Sequence, residues 1–249
     1  MRGRATTQLL NNSTTQQRNF SSSRFTVFAA ALFSVIVLGL AAATYARNIL
    51  WKDKVSLWED VVSKSPDSPR GYNNLGIAYY EKGMYDKAIG MYEHVLSLLP
   101  FYRNTRVNLG NAYAVTGRFD RAIEEFKQAI ALDPNNSVAF SNLARAYVGI
   151  GRYDEAADNY IKAIELDHYN STAYHGLGFA YVQLGSLDDA LAAYTKFVEL
   201  SPKNPEAYRN RGNVYGYKGD FTSAGADFRK ACSLGSQESC NYLQDPRFR

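Results

Sequence analysis

The chain has 249 residues, 46% of them hydrophobic, with 28 Lys and Arg against 24 Asp and Glu. The positive excess sits in residues 1–24, which hold Arg2, Arg4, Arg18 and Arg24 and no acid, so everything from Phe25 onward is neutral. A neutral folded part excludes the cationic surface that nucleic-acid binding needs, and two cysteines, Cys232 and Cys240, are too few to build a disulfide scaffold, leaving a hydrophobic core.

Residues 1–24 are mostly Ser, Thr, Asn, Gln and Arg and read as a disordered basic tail. From Phe25 to Ala46 the run FTVFAAALFSVIVLGLAAATYA carries no charge; as a helix its 22 residues reach about 33 Å, the thickness of a hydrocarbon core of about 30 Å. A single transmembrane helix is therefore expected over 25–46. The tail's four arginines are matched beyond the span by Arg47, Lys52, Lys54 and Lys64, so local charge leaves the orientation tied. A long C-terminal domain translocates largely regardless of its charge, which favours a cytoplasmic tail and a domain on the periplasmic side of a bacterial-type inner membrane. The alternative is a cleavable signal peptide with small-residue chemistry at Ala41, Ala42 and Ala43.

Residues 47–68 contain Trp58 and Val61, which lie 34 residues before Tyr92 and Val95. The stretch reads as the second helix of a repeat whose first helix is missing, a half-repeat that caps the array. Beyond it a period of 34 governs the chain. A small residue after leucine or its replacement recurs as Gly76, Gly110, Ala144, Gly178 and Gly212; tyrosine as Tyr79, Tyr113, Tyr147, Tyr181 and Tyr215; glycine as Gly83, Gly117, Gly151, Gly185 and Gly219; and alanine as Ala88, Ala122, Ala156, Ala190 and Ala224. Each unit predicts two helices, with small residues at 76 and 88 for close approach, Gly83 to end the first and Pro100, Pro134 or Pro202 to stop the second. His168 and Ser236 replace the proline in the third and fifth units. Most tyrosines belong to the core, in the columns of Tyr72, Tyr79 and Tyr92.

This period and pattern resemble the tetratricopeptide repeat (TPR) family over Pro69 to about Glu238. The resemblance implies an all-α, right-handed superhelical solenoid of five repeats, 69–102, 103–136, 137–170, 171–204 and 205–238, with 239–249 as C-terminal cap and tail. It also implies that first helices line a concave face that binds protein. The junction YARNILWKDKVSLWEDVVSKSPDSPRGYNNLG is similar to the passage from the last membrane helix into the repeats of TPR-containing membrane O-mannosyltransferases, whose repeats are lumenal or periplasmic. No catalytic residue carries over, because those enzymes work in a body of many membrane helices. The pair Cys232 and Cys240 resembles the paired cysteines of Sel1-like repeats, which implies a disulfide; two buried free thiols are the alternative.

On the expected concave face, Asn74, Asn108, Asn142 and Asn210 recur with Gly176 in the fourth unit, a column that resembles the asparagine ladder of the nucleocytoplasmic glycosyltransferase that adds N-acetylglucosamine to proteins. An amide here offers donor and acceptor to an extended peptide. The next column is Ile77, Asn111, Arg145, Phe179 and Asn213, flanked by Tyr80 and Tyr217. The five-residue clamp with which TPR domains hold acidic C-termini is absent: threading it onto repeats one to three gives Asn73, Ile77, Asn108, Val138 and Asn142.

No enzyme is expected. His94, His168 and His175 have no metal-ligand spacing, no cofactor motif is present, and acid–base neighbours such as Asp86 with Lys87, or Glu124 and Glu125 near Lys127, are expected to face solvent. The sequence thus points to a membrane-anchored scaffold binding an extended peptide. Two other readings are an accessory subunit of an envelope glycosyltransferase or polysaccharide system, docking on a multi-spanning partner through Trp51 and Trp58, and a cytoplasm-facing assembly adaptor. Self-association through the solenoid ends is compatible with each.

Overall fold

A computed structural model describes Phe28, 31–45, Trp51 and 53–248. The chain forms two compact units, Met1–Asp60 and Val61–Arg249. The basic tail 1–24 and the mapped arginines within it lie outside the described residues. So do residues 25–27, 29, 30 and 46 of the expected membrane span. Residues 31–45 form a helix, α1, with every side chain exposed. Among the described residues no helix is long and apolar enough to cross a membrane, so they do not support the span expected over 25–46. Helix α2, Lys54–Lys64, follows; it buries Val55, while Trp58 and Val61 are half-buried.

From Pro69 on, helices come in pairs: α3 (Pro69–Glu81) and α4 (Tyr85–Leu98), α5 (Arg103–Val115) and α6 (Phe119–Leu132), α7 (Ser137–Gly149) and α8 (Tyr153–Leu166), α9 (Ser171–Gln183) and α10 (Leu187–Leu200), α11 (Pro205–Tyr217) and α12 (Phe221–Ser233). A short α13 (Gln237–Tyr242) and a 3₁₀ turn (Pro246–Phe248) follow. The described residues contain no strand, and the paired helices form an all-α solenoid.

The turns explain the period. Gly83, Gly117, Gly151, Gly185 and Gly219 have φ between 74° and 82°, which a side chain would strain. The amide that follows each donates back to the tyrosine carbonyl five residues earlier, as in Met84 N to Tyr79 O at 2.9 Å and Asp220 N to Tyr215 O at 3.0 Å. This closes the first helix by satisfying its last carbonyls. Four of the opposite turns rest on side-chain caps, Ser68, Asn136, Asn170 and Asn204 each accepting from the first turn of the following helix, while the turn into α5, at Tyr102, has none. The fifth unit differs. Ser236 stands at the proline column, but α12 has already been stopped by Gly235 (φ 100°), and Ser236 N donates to Ala231 O at 3.0 Å.

Within a pair, the first helix offers a bare Cα to an aromatic ring. A Cβ on Gly76 would lie 2.5 Å from the ring of Tyr92, one on Gly110 2.6 Å from Phe126, one on Gly178 2.7 Å from Tyr194 and one on Gly212 2.8 Å from Phe228. Tyr92, Phe126 and Phe228 are among the largest fully buried side chains. Leu75, Leu109, Leu143 and Leu177 extend the core beside them; in the fifth unit the column holds Arg211, which makes a two-pronged ion pair with Asp227 of α12, both contacts 2.8 Å.

The last pair is covered from beyond the repeats. Cys232 and Cys240 are joined in a disulfide with Cα atoms 4.9 Å apart, tying α12 to α13. Phe248 packs edge-on against Phe228 (5.1 Å between centroids) and Phe221 (5.7 Å), and its carbonyl lies 2.3 Å from where a Cβ on Gly225 would be. Ile89, Ile123, Ala157 and Leu191 occupy that column in the other units, so glycine at 225 is what admits the turn.

Two outcomes follow. Gly225→Leu will eject residues 246–248 from α12, seen as fast amide exchange at Phe248, whose N–H now donates to Asp245 O at 3.1 Å, with protection in α9 and α10 unchanged. The denatured, unreduced chain will titrate no free thiol, and the double change Cys232→Ser, Cys240→Ser will lower stability by about 2–3 kcal/mol, the chain-entropy effect of so short a loop; two free thiols would contradict the first.

Candidate binding groove

Backbones of successive first helices over α3, α5, α7 and α9 approach one another more closely than those of successive second helices. The first-helix face is therefore the inner, concave one, and side chains two before and one after the small residue point along it. Asn74, Asn108, Asn142 and Asn210 are all half-buried on this face. Gly176 interrupts them, and the ring of Tyr160 from α8 fills the space a side chain there would take.

Two clefts gather most of the expected residues. The first, about 270 Å³, is lined by Tyr80, Asn111, Ala114, Val115, Phe119 and Arg145. Arg145 is exposed and donates through Nη2 to Asn111 Oδ1 at 3.2 Å, one repeat away. Its remaining N–H groups are open to an incoming carbonyl or carboxylate. The second, about 200 Å³, is lined by Phe179, Val182, Gln183, Tyr194, Asn210, Asn213, Val214 and Tyr217. Phe179 is 39% exposed despite its size, braced edge-on by Tyr153 at 6.4 Å. Asn213 and Tyr217 also border a cavity of about 450 Å³ toward Tyr242 and Phe248, so the apolar lining continues to the end of the array. Asn74, Asn108 and Asn142 lie outside these two clefts.

Phe119 and Tyr153 are groove residues missed in the sequence. Their signal was the aromatic recurrence Tyr85, Phe119, Tyr153 and Phe221 two residues past four of the five turn glycines, with Leu187 after Gly185. A second difference concerns Glu125, expected to face solvent. It is only 17% exposed and pairs with Arg106 of α5 at 2.8 Å, locking α6 onto the first helix of its own unit. Asp86 does remain open, though it meets Arg118 at 2.7 Å. Asn73, the first residue of the threaded clamp, is buried and accepts from Thr105 Oγ1 at 2.7 Å, so it offers nothing to a ligand. Among the described residues no group of three or more His, Cys, Asp or Glu is placed to hold a metal ion.

Models described as TPR or tetratricopeptide repeat match residues 67–135, 116–178, 180–219 and 205–235. The chain belongs to the tetratricopeptide repeat family. Among solved structures, this TPR chain is similar to MamA at 32% identity, covering 67% of this chain and 97% of that one with a TM-score of 0.61. It shares the fold of MamA 41-end from Desulfovibrio magneticus RS-1 (23% identity, 68% and 97% covered, TM-score 0.64). It also shares the fold of YrrB, a TPR protein with an unusual peptide-binding site (21% identity, 75% and 97% covered, TM-score 0.61). No curated protein matches the chain.

One titratable group is built into the wall of these TPR repeats. His175 on α9 stacks on Phe197 at 5.0 Å and lies 3.8 Å from Glu206 Oε1. Burial holds its pKa below the ordinary 6.5, with Glu206 pulling it up and Arg209 down. The unfolded chain therefore takes up the proton first, and the stability from the neutral, stacked ring is complete above about pH 6.5 and lost as pH falls through the depressed value. Thermal melts at pH 7.5 and 5.0 will show a smaller acid loss for His175→Phe than for the wild type.

Proposed function

We propose that this TPR chain is a non-catalytic scaffold that holds an extended segment of a partner protein along its first-helix face. The observation that carries the reading is the pair of clefts on that face. One offers Arg145, Asn111 and Tyr80, and the other Phe179 with Asn210 and Asn213. Alternating polar and apolar subsites suit a peptide, whose backbone needs donors and acceptors while its side chains need pockets. Asn74, Asn108, Asn142 and Asn210 supply the backbone contacts in this reading; Arg145, Phe179 and Tyr80 set preference. The peptide-binding site of YrrB, on the same fold, lends it support.

We further propose that residues 25–46 anchor the scaffold in a membrane, with the arginine tail on the cytoplasmic side and the repeats on the periplasmic side. The absence of charge over 25–46 supports insertion, as do the exposed apolar side chains of α1, such as Phe33 at 68% and Leu38 at 69%. The disulfide between Cys232 and Cys240 suits an oxidising compartment. The accessory-subunit reading keeps one foothold, Trp51, which is 45% exposed ahead of α2.

Crosslinking followed by pull-down from membranes separates the two. The groove reading expects partners captured by the wild type to be lost when Asn74, Asn108, Asn142 and Asn210 become alanine together, and kept when Trp51 and Trp58 do. The reverse pattern would transfer the function to the junction.

A further inference from the structure

The asparagine column breaks once, at Gly176, and the glycine column that packs the helices also breaks once, at Ala144. The two breaks flank one ring. In the other four units the aromatic of the second helix lies against the glycine of its own first helix, with would-be Cβ contacts of 2.5 to 2.8 Å. Ala144 fills that place in the third unit with a real Cβ. Tyr160 reaches into the following unit: a Cβ on Gly176 would fall 2.2 Å from its Cζ and 2.4 Å from its hydroxyl oxygen. The phenol end of Tyr160 thus occupies the spot where an asparagine side chain would leave the backbone.

The hydroxyl there is uncommitted. It makes no hydrogen bond with any described residue, yet no buried side-chain polar atom is left without a partner. The 5% of Tyr160 that stays exposed therefore includes the hydroxyl. Tyr113 shows the contrast, since its hydroxyl is spent on Glu93 at 2.6 Å. Of the equivalent rings, Phe126 and Phe228 have no hydroxyl, and Tyr92 and Tyr194 lie against the glycines of their own units, Gly76 and Gly178. Burial pushes the Tyr160 pKa up to about 12, with Arg145 pulling the other way, so at neutral pH the group is a donor. Arg145, whose charge acts on the Tyr160 phenol, and Phe179, three residues after Gly176, are exposed on the two adjoining first helices.

We propose that Tyr160 is the missing rung of the asparagine column, its hydroxyl donating to a main-chain carbonyl of the bound segment between the Arg145 and Phe179 subsites. The proposal rests on the groove reading above and adds a binding residue that comes from a second helix. Gly176 is then required for room: any side chain there would displace the ring.

The test uses a peptide selected from a random 12-residue display library on the full-length wild-type chain in detergent. Its affinity is measured for wild type, Tyr160→Phe and Asn142→Ala. Tyr160→Phe keeps the ring and the melting temperature and is expected to weaken binding about five- to tenfold, the worth of one hydrogen bond. Replacing peptide carbonyls one at a time by methylene should find one position at which Tyr160→Phe causes no further loss, a coupling that a purely packing role would not produce. Unchanged affinity in Tyr160→Phe with weakened binding in Asn142→Ala would overturn the rung and leave the groove standing. Unchanged affinity in both would remove the groove as well.

Discussion

Everything in the repeat region depends on a ring lying flat against a bare backbone. With glycine at 76, 110, 178 and 212, the first helix can be approached so closely that a single added carbon would overlap Tyr92, Phe126, Tyr194 or Phe228. Crowding of that kind costs about 1–3 kcal/mol in a packed core. The contact fixes the distance within each pair. Repeated from unit to unit, it sets one spacing for an array whose units meet only their neighbours. The concave face is what remains when first helices, thinned by these glycines, lie closer together than second helices.

That contact explains why so much was legible in advance. A spacing of 34 can be read without coordinates because each column answers a local need that recurs: a positive φ at Gly83 and its equivalents, a capping side chain at Ser68 or Asn136, a ring facing a glycine. Asn111 and Arg145 are one period apart and Tyr80 stands three residues past Ile77 of the same column, and they meet in one cleft because the pattern is the geometry.

What escaped the sequence is where a column changes and another compensates. Arg211 in a leucine column looks like a loss of core until Asp227, sixteen residues on, is seen opposite it at 2.8 Å. Glu125 looks solvated until Arg106 is placed beside it. Gly176 looks like a missing asparagine until the ring of Tyr160 is seen in the space its side chain would take. In each case the partner lies in another helix, at a separation that no period marks. The packing of Phe248 is of the same kind, since nothing around Gly225 says that the chain will return to it.

The turn at Gly235 carries a meaning of its own. Along the array, two kinds of joint alternate, a glycine joint inside each unit and a capped joint, often with proline, between units. Alternation is what lets units be added indefinitely, as bricks laid in one bond. Helix α12 ends on a glycine joint where the rhythm calls for the other kind, and the short α13 follows directly. One displaced joint thus turns the chain back onto α12, where Phe248 meets Phe228, instead of laying another first helix beside α11.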